Sequence, residues 1–249
     1  MTEALKDSAA TRPEILPLGP DGIVLRLGLR VTEAVTAQVQ ALAARLHAAP
    51  PDGVQEVETA LASVFLRFDP ARVSRADLLP RLAPFLDLPA DPPPAPVLRR
   101  WTIPAAFGGQ AGPQLADLAA RAGLTGQQAV ADLCTADLRV LAIGFAPGQP
   151  YLGLLPDPWD IPRQSALTPQ VPAGALVVAV RQVVLFANPS MTGWRQAGLC
   201  AFRPFQADRA EPFALRSGDA VRFVQVDGAA LAALAGGDGL GGARLEVLR

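Results

Sequence analysis

Residues 144–153 read Gly-Phe-Ala-Pro-Gly-Gln-Pro-Tyr-Leu-Gly, and Pro162-Arg163, Val171-Pro172-Ala173-Gly174, Gln182, Asn188, Ser190 and Gly193-Trp194 follow at short intervals. Proline fixes φ at roughly −65° and deletes a backbone donor, while glycine admits positive φ, so this spacing predicts a stiff, shaped loop rather than a helix or ladder strand. The residues able to touch a ligand there are Gly148, Gln149 and Tyr151 from the loop, Arg163 after it, Gln182 on the next strand, and Asn188, Ser190 and Trp194 around the Gly-Trp turn. Arg163 carries the chemistry that matters most, because a guanidinium grips carboxylate or phosphate through two parallel bonds; its other outlet is an ion pair with Asp157 or Asp160. Tyr151, the only tyrosine, offers a ring and a hydroxyl to close a pocket, or packs under a strand end. Trp194 either stacks on a ligand or fills a barrel mouth. Gln149 can orient a group by hydrogen bonding but cannot act as acid or base.

Much chemistry is excluded by the inventory. Lys6, in the polar opening segment, is the only lysine, so neither a P-loop nor a Schiff base from a core lysine is available. His47 is the only histidine and closes an amphipathic helical pattern far from the Gly/Pro loop, where its charge suits a helix C-terminus. A Ser-His-Asp or Cys-His arrangement would need it brought in from another domain. Cys134 and Cys200 lack metal-ligand spacing and read as small buried hydrophobes, so no metal site is expected. The catalytic residues of this chain therefore stay unassigned: no complete constellation lies within it.

Half of the 249 residues are hydrophobic, ample for a core, and the formal charge of −1 is mixed along the chain without a basic stripe. Nucleic-acid binding is not expected. The first thirteen residues lack the apolar stretch of a signal peptide, and no run approaches the roughly 18 apolar residues of a membrane span. A cytoplasmic protein is the expectation.

The elements that must position the loop fall into two groups. From 13 to 88, Ile23, Leu25 and Leu27 alternate as a half-buried strand; Thr32 caps a helix striped by Val35, Val39, Leu42, Ala43 and Leu46; Val54–Val57 and Val64–Phe68 form a strand pair; and Ser74 with Asp77 opens a helix carrying Leu78, Leu82 and Leu86. The order β-α-β-β-α predicts a split βαβ, ferredoxin-like α+β domain. Five prolines between Pro89 and Pro96 make 89–97 a stiff linker. From 98 to 228, a strand at Trp101–Phe107, helices at Gln114–Ala122 and from Thr125 to Leu133, and short strands at Leu138–Phe145, Leu176–Val180, Val183–Ala187 and Ala220–Val226 predict a mainly-β barrel. Glycines at 236, 237, 239, 241 and 242 predict a flexible tail over 229–249.

Taken in order, Gly53-Val54, Arg67-Phe68-Asp69-Pro70, Gly108-Gly109 with Gly112-Pro113, the loop 144–153, Pro162-Arg163, Val171-Pro172-Ala173-Gly174, Gly193-Trp194, and Gly218-Asp219 with Val221-Arg222-Phe223 resemble the KipI family, which includes the PxpB-type component of 5-oxoprolinase and the first-subunit region of allophanate hydrolase. The resemblance implies a ferredoxin-like domain followed by a cyclophilin-like barrel, working with a KipA/PxpC-type second subunit and a PxpA-type third one. It implies an ATP-dependent amidase that opens 5-oxoproline to glutamate, with ATP and Mg in the assembled complex rather than on this chain alone. The same family also implies two other functions: a regulator that binds a sensor histidine kinase, and a carboxyltransferase-like subunit of a urea-processing enzyme, which would need its biotin carrier elsewhere. Where the family carries a loop Phe, this chain has Gln149, and where it carries basic residues, Thr168 and Leu199 stand. Ala243–Arg249 either resembles the opening strand of the KipA-type subunit or is an ordinary terminal strand.

Overall fold

The computed structural model describes residues 12–89, 91–93 and 95–248; Lys6 and the polar opening lie outside them. The chain divides between Pro96 and Val97 into two compact units.

In the first unit, β1 (Glu14–Leu18), β2 (Gly22–Arg26), β3 (Val54–Thr59) and β4 (Ser63–Phe68) form an antiparallel sheet in the order β1-β2-β4-β3. Strand β4 lies between β2 and β3, so β2, helix α1 (Glu33–Ala48) and β3 make a split βαβ unit. Strand β1, which the sequence reading did not separate, adds outside β2 through the turn at Gly19. Thr32 starts α1 because its hydroxyl accepts from Val35 N–H at 3.2 Å. Val35, Val39, Leu42, Ala43 and Leu46 then face the sheet, burying against Ile23, Leu25, Leu66 and Phe68. Each buried valine, leucine, isoleucine or phenylalanine among them contributes about 1.5–3 kcal/mol of transfer free energy. Ser74 caps α2 (Arg75–Leu82) in the same way and buries Leu78 and Leu82.

The second unit is a closed barrel. Its elements are β5 (Arg99–Phe107), α3 (Leu115–Ala122), α4 (Gly126–Thr135), β6 (Leu138–Ile143), β7 (Pro150–Gly153), β8 (Thr168–Val171), β9 (Ala175–Ala179), β10 (Gln182–Leu185), β11 (Ser190–Thr192), β12 (Arg195–Cys200), β13 (Ala220–Gln225), α5 (Gly228–Leu234) and β14 (Arg244–Val247). Seven strands run β12-β9-β10-β7-β6-β13-β5, and β5 returns to β12 to close the ring. Side chains alternate across each strand. Leu152, Leu176, Val178, Val183, Leu185 and Phe223 fill the interior with Leu118 and Leu133 of the helices, while Ala175, Val177, Ala179 and Val184 point outward. The ribbon β8-β11 supplies Val171 to that outer layer, and Phe186 and Trp194 complete it, so both faces of β9 and β10 are buried.

Two expectations are corrected here. Residues 150–153 are a ladder strand, paired with β6 on one side and β10 on the other; Pro150 is tolerated because it occupies the strand's first position. Of the segment 229–249, the described residues 229–248 are no loose tail: Asp227 caps α5 by accepting from Ala230 N–H at 2.8 Å, and β14 pairs antiparallel with β5. The glycines permit a close backbone approach, since a Cβ on Gly241 would lie 2.5 Å from the Ala201 carbonyl carbon.

Candidate functional site

On the outer face of β7, β10 and the strand entry to β12, three of the expected residues meet. Tyr151 is opposite Val184 in the ladder and presents its ring edge to Trp194, with centroids 6.3 Å apart at 76°. The Arg163 guanidinium lies 5.1 Å above the Trp194 ring. Trp194 is 6% exposed and rests on the outer apolar layer, so the ring is a floor, with an exposed cation above and a half-buried phenol beside it. Arg163 makes no ion pair among the described residues; Asp157, one of its expected partners, pairs instead with Arg181 at 2.7 Å.

Four side chains outside the expected set hold this ledge in place. Arg195, buried at 5% exposure, bonds Asp117 of α3 through Nε and donates from Nη1 to the Pro162 carbonyl at 2.8 Å, fixing the residue before Arg163. Gln164 N–H donates to Gly193 O at 2.6 Å, and its Nε2 reaches Thr168 Oγ1 and the Trp194 carbonyl, both at 3.3 Å. Gln114 Nε2 donates to Gln164 Oε1 at 2.9 Å, and Gln114 Oε1 accepts from Gln196 N–H at 2.7 Å. A turn, a loop and a strand are thereby stitched into one unit. The arginines of Asp117, Arg121 first and Arg195 second, hold its carboxyl below the usual carboxylate range.

The remaining expected residues are more scattered. Gly148 is buried with φ of 70°, where a Cβ would lie 2.8 Å from the Phe205 Cβ. Gln149 is buried and its Oε1 accepts from Ala187 N–H at 3.3 Å, tying the loop to the end of β10. Gln182 lies on the same face of β10 as Val184, opposite Gly153, and its buried Oε1 has no hydrogen-bond partner. Asn188 is exposed, and Ser190 on β11 donates to the neighbouring Met191 carbonyl at 3.3 Å. Phe145, at the loop tip, is 77% exposed with φ of 70°.

Two concavities escaped the sequence reading. One, of about 440 Å³, is lined by Gln110, Ala111, Pro172, Ala173, Leu199, Arg203 and Leu231, among others. The other, of about 920 Å³, lies between α4 and β13; its Cys134 thiol is pushed up by burial, and its one arginine, Arg222, is paired with Asp137 at 2.9 Å. Cys200 is fully buried, its thiol pushed up to about 12, and is inert. Among the described residues no cluster of ligands could hold a metal ion, and no helix is long and apolar enough to cross a membrane. The ledge can bind and orient an anionic or planar group, and among the described residues its contacts are those of Arg163, Trp194, Tyr151, Gln164 and Arg195, with no imidazole or carboxylate on Arg163.

Comparison with known proteins fits this picture. A family described as "Carboxyltransferase domain, subdomain C and D" matches residues 13–215. The PxpB component of 5-oxoprolinase from Escherichia coli O157:H7 is 38% identical over 129 residues, 52% of this chain and 59% of that one. Its Bacillus subtilis counterpart is 29% identical over 230 residues, 86% of this chain and 93% of that one. The crystal structure of TTHA0988 superposes with a TM-score of 0.66 at 34% identity, covering 83% of this chain and 40% of that one. The match with the Escherichia coli relative thus spans less than two thirds of its length. Motif order, barrel and relatives agree, and the chain belongs to the carboxyltransferase-domain family, subdomains C and D, within the KipI group that contains the PxpB components of 5-oxoprolinase.

Proposed function

We propose that this chain is one subunit of a heteromeric, ATP-dependent amidase of the 5-oxoprolinase type, and that the Arg163–Trp194–Tyr151 ledge is its share of a site completed by a KipA/PxpC-type subunit, with a PxpA-type third component. The observation that carries this is the ledge itself: a guanidinium that makes no ion pair among the described residues is held over an indole by a buried polar network, with a single phenol, Tyr151, beside it. Such a surface binds and orients. Arg163 would receive the 5-oxoproline carboxylate, and the buried Gln182 Oε1 offers an acceptor for an N–H already stripped of water. The partner would supply the acid–base groups and most contacts to ATP and Mg. The ferredoxin-like and cyclophilin-like assignments of the two units belong to the same reading.

The test is 5-oxoproline-dependent ATP hydrolysis by the purified chain, alone and with its candidate partner subunits. Activity is expected only from the mixture, and Arg163→Gln is expected to lower it at least tenfold; full activity from the isolated chain would refute the shared site. The family match favours a second reading, transfer of a carboxyl group from a carrier. Bicarbonate- and biotin-dependent turnover in the mixture, without 5-oxoproline, would select it.

A further inference from the structure

The cavity of about 440 Å³ shares no lining residue with the proposed ledge, although its Leu199 packs on the same outer apolar layer as Trp194. One wall is Pro172 and Ala173 of the Val-Pro-Ala-Gly turn. That turn is clamped to β12: Cys200 N–H donates to Gly174 O at 2.9 Å, and a Cβ on Gly174 would lie 2.1 Å from the Cys200 carbonyl oxygen. A second wall is Gln110 and Ala111, from the Gly108–Gly112 turn, where the Ala111 carbonyl accepts from the buried Gln196 Nε2 at 2.8 Å. The third is α5, through Leu231, Ala232 and Ala235. The first two walls are held to β12 by hydrogen bonds from Cys200 and Gln196, and the helix of the third is fixed at its start by the Asp227 cap.

Its lining is apolar or neutral with one exception, Arg203. The Arg203 Nη1 is buried without a hydrogen-bond partner, and the side chain makes no ion pair among the described residues. Arg209, six residues on, also has a buried Nη1 without a partner, but its Nη2 donates to the carbonyls of Arg203, Pro204 and Pro212. The Arg203 Nη1 is closed off from the cavity, but the side chain is only half-buried and its Nε and Nη2 make no hydrogen bond or ion pair among the described residues, so a partly desolvated guanidinium is left to face an anion. One positive charge in an apolar wall matches one negative charge; a dianion would leave an uncompensated charge in the cavity. Volumes of this size suit small organic ligands.

We infer that this cavity binds a small monocarboxylate, its carboxyl on Arg203 and its apolar body against Leu199, Leu231 and Ala232. The inference is independent of the amidase proposal, since it concerns different residues and is read by binding alone. The experiment is calorimetric titration of the full chain with isobutyrate, with the neutral isostere isobutyramide, and with inorganic phosphate. Isobutyrate is expected to bind saturably, isobutyramide roughly 10- to 100-fold more weakly, as loss of a charge-assisted bond dictates, and phosphate not at all. Arg203→Gln should abolish the difference between acid and amide, and Ala232→Leu, which fills the cavity without touching the cation, should remove binding even if the arginine variant fails to fold. Arg163→Gln should leave binding unchanged. Equal affinity for amide and acid, preference for phosphate, no isobutyrate binding, or loss of binding in Arg163→Gln would each overturn the assignment.

Discussion

Replacing Trp194 by alanine tests whether the aromatic floor is part of the barrel's packing or a free platform. The ring is 6% exposed, packs on the outer apolar layer with Val171 and Phe186, and meets Tyr151 edge-on. Truncating a buried aromatic costs about 3–5 kcal/mol in lost transfer and cavity energy. Of this, the Tyr151 pair accounts for about 0.5–1.5 kcal/mol, and the Arg163 contact, being exposed, for about 0.5–1 kcal/mol. For a domain of this size each kcal/mol lowers Tm by roughly 2–4 °C, so the barrel transition should fall by about 6–20 °C. Trp194→Phe, which keeps a ring, should cost about 1–2 kcal/mol. Arg163→Gln should cost less than about 1 kcal/mol, because it removes only the cation from an intact floor. Guanidinium titration followed by circular dichroism reads all three. If Trp194→Ala costs under about 1 kcal/mol, or Arg163→Gln costs as much as Trp194→Ala, the floor-and-cation description is wrong.

Three further outcomes follow from other parts of the barrel. The β9–β10 turn places Val180 and Arg181 at φ of 45° and 62°, a conformation that suits Asn and Gly and disfavours a β-branched residue, so Val180→Asn should stabilise the protein by about 0.5–1 kcal/mol, measured by thermal unfolding. Gly174, with φ of 86° and the Cys200 carbonyl in the way of any Cβ, should not accept alanine: Gly174→Ala should cost about 2 kcal/mol or more, and an unchanged Tm would contradict the clamp. Asp117 has a depressed carboxyl, so its stabilising effect is in place above the ordinary carboxylate pKa and disappears as pH falls through the lower folded value. In Arg195→Met its NMR titration should move upward but stay below the ordinary range, because Arg121 is still bound to it.

Strand periodicity and capping chemistry made most of the frame readable. The Thr32 and Ser74 caps, the helix opening at Thr125 and the stripe from Val35 to Leu46 are local signals, and each appears as expected. What stayed hidden depends on distant partners. Pro150–Gly153 looked like loop because proline and glycine dominate it, yet β6 and β10 supply its ladder from both sides. The glycines after Leu234 looked mobile because their purpose, letting backbone approach Ala201, is invisible until the strands are in place. At the ledge, Tyr151, Arg163 and Trp194 were legible by type, whereas Arg195, Asp117, Gln114 and Gln164 were not: nothing local distinguishes a glutamine that bridges three segments from one in solvent. The Arg203 cavity was equally silent, since its walls come from three separate stretches of chain.

The seam on β5 governs when this barrel can exist during synthesis. That strand opens the second unit, yet its three neighbours, β12, β13 and β14, all lie far downstream, and its Arg100 meets a glutamate 146 residues away. Until those segments leave the ribosome, β5 keeps both edges bare. Loops of this length close slowly, so an early nucleus must come from the consecutive pairs β6-β7 and β9-β10, with β5 waiting as an exposed apolar strand that invites aggregation if translation stalls.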